Sequence, residues 1–357
     1  MFPLAFGIIR DEFPRERVPT GIALLGAIAA MGTGIGLPLG GLLADGPGYH
    51  WIFWSAAIMG VAATLATHFF VPESPIRTPG RVDFAGAGIL TAGLSALLVG
   101  ISRGGDWGWA APSTVGVIAL GLGTLVAFGL FERRPCDPLI NMPTFARRPV
   151  LTTNVSTILI GSTMVSTMIL VPQLAQLPSG GEVGFGLSTT EGGLLLVPAS
   201  LISLLVAPIV GRIGERRGSK LPFLAGCVVT SSGLALLAFA HGSVVEVVLG
   251  CCLMAAGAGA TLAAVPNLVI VAVDPRETGE AIGTNTVMRN IGSAIGAQLA
   301  GSVIAGHVLA NGLPSDEGFT IAFLIGAVGA GVAAVAVLFI PGSVHRSPRA
   351  GTASEMA

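Results

Sequence analysis

Charge is what this chain has least of. Only 10% of its 357 residues are Asp, Glu, Lys or Arg, against about a quarter in an ordinary soluble domain, too few to coat an aqueous surface. The 18 basic residues nearly cancel the 19 acidic ones, and no basic face gathers them, so no nucleic acid partner is expected. Cysteine is scarce: Cys136, Cys227, Cys251 and Cys252 form neither a CxxC pair nor a disulfide framework. The last three sit in apolar runs as small filler, and no metal site is expected. No glycine-rich loop carries the lysine of a phosphate cradle, so neither ATP hydrolysis nor a cofactor is expected. No cluster of His, Asp and Glu lies inside an apolar segment, which argues against an enzyme. Alternation of period two is missing, which argues against barrel strands.

What the chain has is apolar length. It is 52% hydrophobic, with mean hydropathy +0.82 and 52 glycines; glycine at this density inside apolar runs suits close-packed membrane helices. Crossing a hydrocarbon layer of about 30 Å takes about 20 residues of helix. Ten such runs can be read, at 19–43, 52–71, 84–102, 113–131, 150–171, 192–211, 221–240, 244–272, 283–306 and 319–340. Turn-formers and charges separate them, as in ADGPGYH (44–50) and VPESPIRTPGR (71–81). The predicted fold class is all-α: a polytopic membrane protein with about ten complete transmembrane helices in a lipid bilayer.

Placing the loop at 10–18 in the cytoplasm and alternating sides puts every basic residue on the cytoplasmic side except Arg103, in an outer loop, and Arg289, early in the ninth span. That asymmetry is the positive-inside pattern, and it places the C-terminus in the cytoplasm of a plasma (inner) membrane protein. Met1–Ile9 is too short to cross, and no cleavage site follows it. It reads either as the last turns of a helix descending to the cytoplasm or as a short interfacial helix.

Six stretches resemble the fourteen-helix drug:proton antiporters of the major facilitator superfamily, over residues 1–340. RDEFPRER (10–17) is similar to the loop after that family's fourth helix, and GTGIGLPLGGLLAD (32–45) to the antiporter motif of its fifth. HWIFW (50–54) opens the sixth, GGDWGW (104–109) resembles the outer loop between the seventh and eighth, and GLSTTEGGLLLVPASL (186–201) and EAIGTNTVMRNIGSAIGAQLAG (280–301) match the tenth and thirteenth. The resemblance implies helix bundles of the major-facilitator type, with helices one to three and most of four missing from this chain. It divides the chain into the end of an N-terminal bundle (1–71), an extra helix pair with cytoplasmic linkers (72–149), a C-terminal six-helix bundle (150–340) made of inverted repeats at 150–240 and 244–340, and a cytoplasmic tail (341–357).

Three groups of residues stand out. Gly32, Gly36, Gly40 and Gly41 recur at about one-turn spacing and would let a second helix approach, while Pro38 loosens the helix. The resemblance makes this the antiporter motif that closes the route between bundles, with the proline one place late because Leu37 precedes it; generic small-residue packing is the plainer reading. The loop at Gly211, Arg212, Glu215, Arg216, Gly218 and Lys220 sets one carboxylate among cations and resembles the superfamily's cytoplasmic latch, unless the cations only fix topology. Asn285, Arg289, Asn290, Ser293 and Gln298 put a polar stripe on the ninth span, which either lines a central cavity or leaves Arg289 to snorkel to the cytoplasmic end. Asn154, Gln173, Gln176, Asn267 and His68 read as interhelical hydrogen-bonding groups, and His241 and His307 as exposed outer residues.

Proton coupling calls for a carboxylate whose charge changes with its surroundings. All 19 acidic residues fall in loops or at span ends; the resemblance places such an acid on the first helix. The expected function is export of small amphipathic compounds by proton antiport and alternating access. The alternative is a non-transporting fragment or a membrane-embedded, partner-binding remnant.

Overall fold

The computed structural model describes residues 32, 34–70, 83–134, 142–273 and 277–340, without the side chains of Phe70 and residues 215–217. The expectations for Met1–Ile9, the 10–17 loop, Cys136, Arg276 and the tail lie outside these residues. Among the described residues all regular structure beyond one isolated bridge is helical: α1 (Gly34–Asp45), α2 (His50–Phe70), α3 (Phe84–Trp107), α4 (Pro112–Phe131), α5 (Arg148–Gln176), α6 (Thr189–Leu194), α7 (Val197–Arg217), α8 (Lys220–Phe239), α9 (Val244–Ala272), α10 (Thr278–Gly306) and α11 (Asp316–Leu338), with a single helical turn, Met142–Phe145, ahead of α5.

Eight of the described helices are long and apolar enough to cross a membrane, α6 and α7 counting as one interrupted span. The expected span 192–211 breaks at Leu195 and Leu196, and the chain restarts with Pro198 in the first turn of α7, where proline's missing N–H costs nothing. Although α10 has 29 residues, it falls short of the same hydropathy, because it carries Glu280, Asn285, Arg289, Asn290 and Gln298. Short connections make successive helices alternate, so their ends gather at two faces, called below the Asp45 end and the Lys220 end.

Three helix starts at the Asp45 end are closed by side chains. Ser188 with Glu191 and Ser243 with Glu246 form capping boxes on α6 and α9, and Ser315 accepts from Gly318 N–H on α11. Each cap contributes about 1 kcal/mol by satisfying amide donors that the helix cannot.

Helices α5 and α7–α11 pack on one another around two apolar clusters, one with Phe319, Phe323 and Leu237, the other with Phe223 and Val337. Their pairing has an internal symmetry. Exchanging the triple α5, α7, α8 with α9, α10, α11 turns the α5–α10 contact into α9–α7 and α8–α9 into α11–α5, and leaves α8–α11 and α5–α9 unchanged. That is the contact pattern two inverted three-helix repeats produce. The α3–α4 hairpin leans on this group through α3 and α10, with Phe128 and Met288 buried between them. By contrast, no side chain of His50–Phe69 is buried.

Candidate functional site

Among the described residues, helix α1 meets the rest of the chain at the α6–α7 break and the first turn of α7. A Cβ on Gly41 would lie 2.6 Å from Thr190 Cα and 2.8 Å from the Thr189 carbonyl oxygen; one on Gly193 would lie 3.0 Å from the Leu37 carbonyl oxygen; and one on Gly34 would lie 3.1 Å from Ser200 Cβ. Only glycine lets the two backbones approach this closely. The contact face of α1 is therefore Gly34, Pro38, Gly41 and Asp45, spaced by four, three and four residues. This corrects the expected stripe, because Gly32, Gly36 and Gly40 face open space.

Asp45 closes that face. Its Oδ2 accepts from both the N–H and the Oγ1 of Thr190, each at 2.7 Å. Thr190 stands in the first turn of α6, where amide donors have no helical acceptor. The Thr190 hydroxyl and then its N–H hold the Asp45 carboxyl down to about 2. The carboxylate is solvent-exposed and stays ionised at any physiological pH. Reading the sequence for interior acids missed Asp45; the signal was its place on one face with Gly34, Pro38 and Gly41.

At the Lys220 end, Gly218 adopts φ +80° and turns α7 into α8, a left-handed conformation that glycine takes without strain. Among the described residues Lys220 bonds no carboxylate, and the latch reading's own carboxylate, on Glu215, lies outside them. The Lys220 Nζ donates to the carbonyls of Leu338, at 2.9 Å, and Ile340, neutralising the negative end of α11. Gly211 meets nothing within 4 Å, and no hydrogen bond or ion pair engages Arg212 among the described residues. The side chains of Glu215 and Arg216 lie outside the description. At the same end Thr144 donates to Glu277 Oε2 at 3.0 Å, and Arg147 lies 3.9 Å from it.

The polar stripe of α10 divides. Asn285 is buried and donates to Asn154 Oδ1 at 2.8 Å and Thr157 Oγ1 at 3.0 Å, both on α5. Ser293 donates to the Gly161 carbonyl at 3.4 Å. Side chains at Gly292 and Gly296 would strike the carbonyls of Ile158 and Ser162. So this face seals α5 against α10 rather than lining a cavity: Asn285 and Ser293 find acceptors on α5 across glycine gaps, while the Asn154 Nδ2 amide is left buried without a hydrogen-bond partner among the described residues. A cavity of about 20 Å³ beside Ser162, Ser166 and Gly296 holds no more than one water. Asn290 is exposed and Gln298 half-buried, and the guanidinium of half-buried Arg289 has no partner among the described residues.

Comparison with known proteins gives this arrangement a family. The model of the Major Facilitator Superfamily matches residues 1–297 and again 151–355. The chain belongs to that superfamily. Relatives are multidrug resistance protein Stp of Mycobacterium tuberculosis (28% identical, 88% of this chain, 58% of the relative) and multidrug resistance protein 3 of Bacillus subtilis (24%, 85% and 59%). The tetracenomycin C resistance and export protein of Streptomyces glaucescens is a third (26%, 86% and 57%). The chain spans under two thirds of the length of these curated relatives. The crystal structure of the nucleoside transporter NupG aligns with 95% of this chain and 86% of its own, at 14% identity and a TM-score of 0.45, too loose a likeness to add anything. As a member of the superfamily with many apolar helices, the chain is a multi-pass membrane protein.

Proposed function

We propose that this chain is the gate-bearing part of a proton-coupled exporter of small amphipathic compounds, of the fourteen-helix antiporter type. The carrying observation is the α1 contact at the α6–α7 break: glycine-lined, held by Asp45 and Thr190, and lying at the Asp45 end of the helices. A contact that joins two bodies at one end can open while they stay joined at the other, which is what alternating access requires. The relatives' names supply the substrate class, since drug resistance and export appear in them.

The Lys220 end carries Arg133, Arg134, Arg147, Arg148, Arg212, Arg216, Arg217 and Lys220, against Arg103 at the Asp45 end. We read the Lys220 end and the C-terminus as cytoplasmic on that asymmetry. The α1 junction then closes the outer side of the membrane. On this reading residues 1–71 belong to one moving body, 150–340 to the other, and the 84–131 hairpin rides with the second through α10. Lipid, substrate and protons are the partners; neither ATP nor nucleic acid takes part. Arg289 is the one cavity candidate whose charged group is left for a substrate or gate.

A second reading, a membrane fragment that does not transport by itself, is favoured by α2, where no side chain of His50–Phe69 is buried. Accumulation of a lipophilic cationic dye in efflux-deficient cells decides between them. Transport predicts lower accumulation in cells expressing the chain and loss of that difference with an uncoupler. Equal accumulation despite confirmed membrane insertion refutes export by this chain.

A further inference from the structure

At the Asp45 end, α8 and α11 hold a group that the transport reading does not use. His241 follows the end of α8 and looks like a loop residue in the sequence, yet it is 7% exposed. Packing puts it there: its ring lies against Phe323 of α11, with centroids 6.1 Å apart. The expectation of an exposed His241 fails because α11 covers the end of α8.

Both ring nitrogens face oxygen. Nδ1 lies 2.7 Å from the Leu237 carbonyl in the last turn of α8, and Nε2 lies 2.8 Å from Oδ1 of Asp316, the first residue of α11. A carbonyl only accepts, and so does an ionised carboxylate. A neutral imidazole has one N–H and can serve one of the two. If Nδ1 keeps it, a bare Nε2 faces the carboxylate; if Nε2 keeps it, a bare Nδ1 faces the carbonyl. Satisfying both contacts takes one proton more than a neutral imidazole and an ionised carboxylate contain.

We propose that His241 and Asp316 form a proton-binding site that pins the end of α8 to the start of α11. The extra proton comes from water and sits between Nε2 and Oδ1; when it leaves, it returns to water, and the ring must give up one of its two partners. The helix ends favour the charged pair. The carbonyl end of α8 attracts the imidazolium, and the amide end of α11 attracts the carboxylate. Glu182 lies nearest, its Oε2 accepting from Asp316 N–H at 3.4 Å; the other carboxylates, imidazoles and cations described at this end are Asp45, His50, Arg103, Asp106, Glu191, Glu246, His307 and Glu317. Acids outnumber the imidazoles at this end, and Arg103, the arginine described there, is paired with Asp106 at 3.3 Å. The proposal does not depend on transport, since a chain that exports nothing would still bind this proton.

The test is a pH titration of the chain in detergent micelles, with its histidines labelled with ¹⁵N and the protonation of both ring nitrogens read by NMR. His241→Gln assigns the signal. Asp316→Asn lowers the proton affinity of His241 by about tenfold, the effect of removing a touching charge from a partly exposed site, and Asp316→Glu recovers most of it. Asp316→Ser, which also suits a helix start, repeats the neutral comparison if the asparagine variant does not fold. An unchanged His241 titration in a folded neutral variant overturns the proposal.

Discussion

Replacing Gly41 with alanine should open the Asp45 end. The new Cβ would lie 2.6 Å from Thr190 Cα and 2.8 Å from the Thr189 oxygen, and because both are backbone atoms no rotamer change relieves the clash. Overpacking of this kind costs about 1–3 kcal/mol, which shifts a closed–open equilibrium roughly 5- to 150-fold toward open. Gly40→Ala, one residue away, meets nothing within 4 Å and serves as the matched control with the same change in helix propensity. The assay is the rate at which a membrane-impermeant maleimide labels Ser200→Cys, in a background with the four native cysteines replaced. Ser200 lies under Gly34 at the junction, so its labelling follows the open population. The Gly41 variant should label at least about fivefold faster than the Gly40 variant. Equal rates in two folded variants would refute the account of the junction.

Other perturbations separate gate, seam and cap. Asp45 is held below its ordinary 3.8, at about 2, so its contribution to the closed junction is complete above pH 4 and lost only as pH falls through about 2; Ser200→Cys labelling should not change through this carboxylate between pH 5 and 8, whereas Asp45→Asn should raise it at every pH in that range. Asn285→Leu removes the donor to Asn154 and Thr157 and leaves two buried acceptors unmatched, a loss of about 1–3 kcal/mol visible as lower thermal stability in detergent; an unchanged melting temperature contradicts the seam. Arg289→Ala should leave that melting temperature in place, since no partner among the described residues is lost, but should abolish export in a transporting chain if the guanidinium faces substrate. Lys220→Met uncovers the carbonyls that end α11 and should cost about 0.3–1 kcal/mol, well below the Asn285 effect in the same melt.

The spans were legible because burial in lipid demands length: α9 runs Val244–Ala272, the bounds that its apolar run predicts. The α6–α7 break was not, because Gly192, Gly193 and Pro198 read as ordinary members of an apolar run until α1 is laid across them. Glycine spacing in α1 pointed to a close approach but not to the face that makes it. Three glycines at one-turn intervals, with Gly41 next to the last, are visible in the sequence, whereas the choice of Gly41 over Gly40 depends on where Thr190 lies. Asn285 was recognised as part of a polar stripe. Its partner Asn154, 131 residues away, could be supplied only by the fold. Lys220 was read through its neighbours in sequence, yet its acceptors sit more than a hundred residues downstream at Leu338 and Ile340. His241 escaped for the same reason, since its burial comes from α11.

The central claim is that the α1 junction opens and closes in each transport cycle. Asp45→Cys with Thr190→Cys in an otherwise cysteine-free chain allows it to be locked by oxidation and released by reduction, with dye efflux followed in the same cells. The account predicts that efflux stops on oxidation and returns on reduction, while each single-cysteine variant is indifferent to both. Efflux that continues at full rate with the cross-link formed would contradict it.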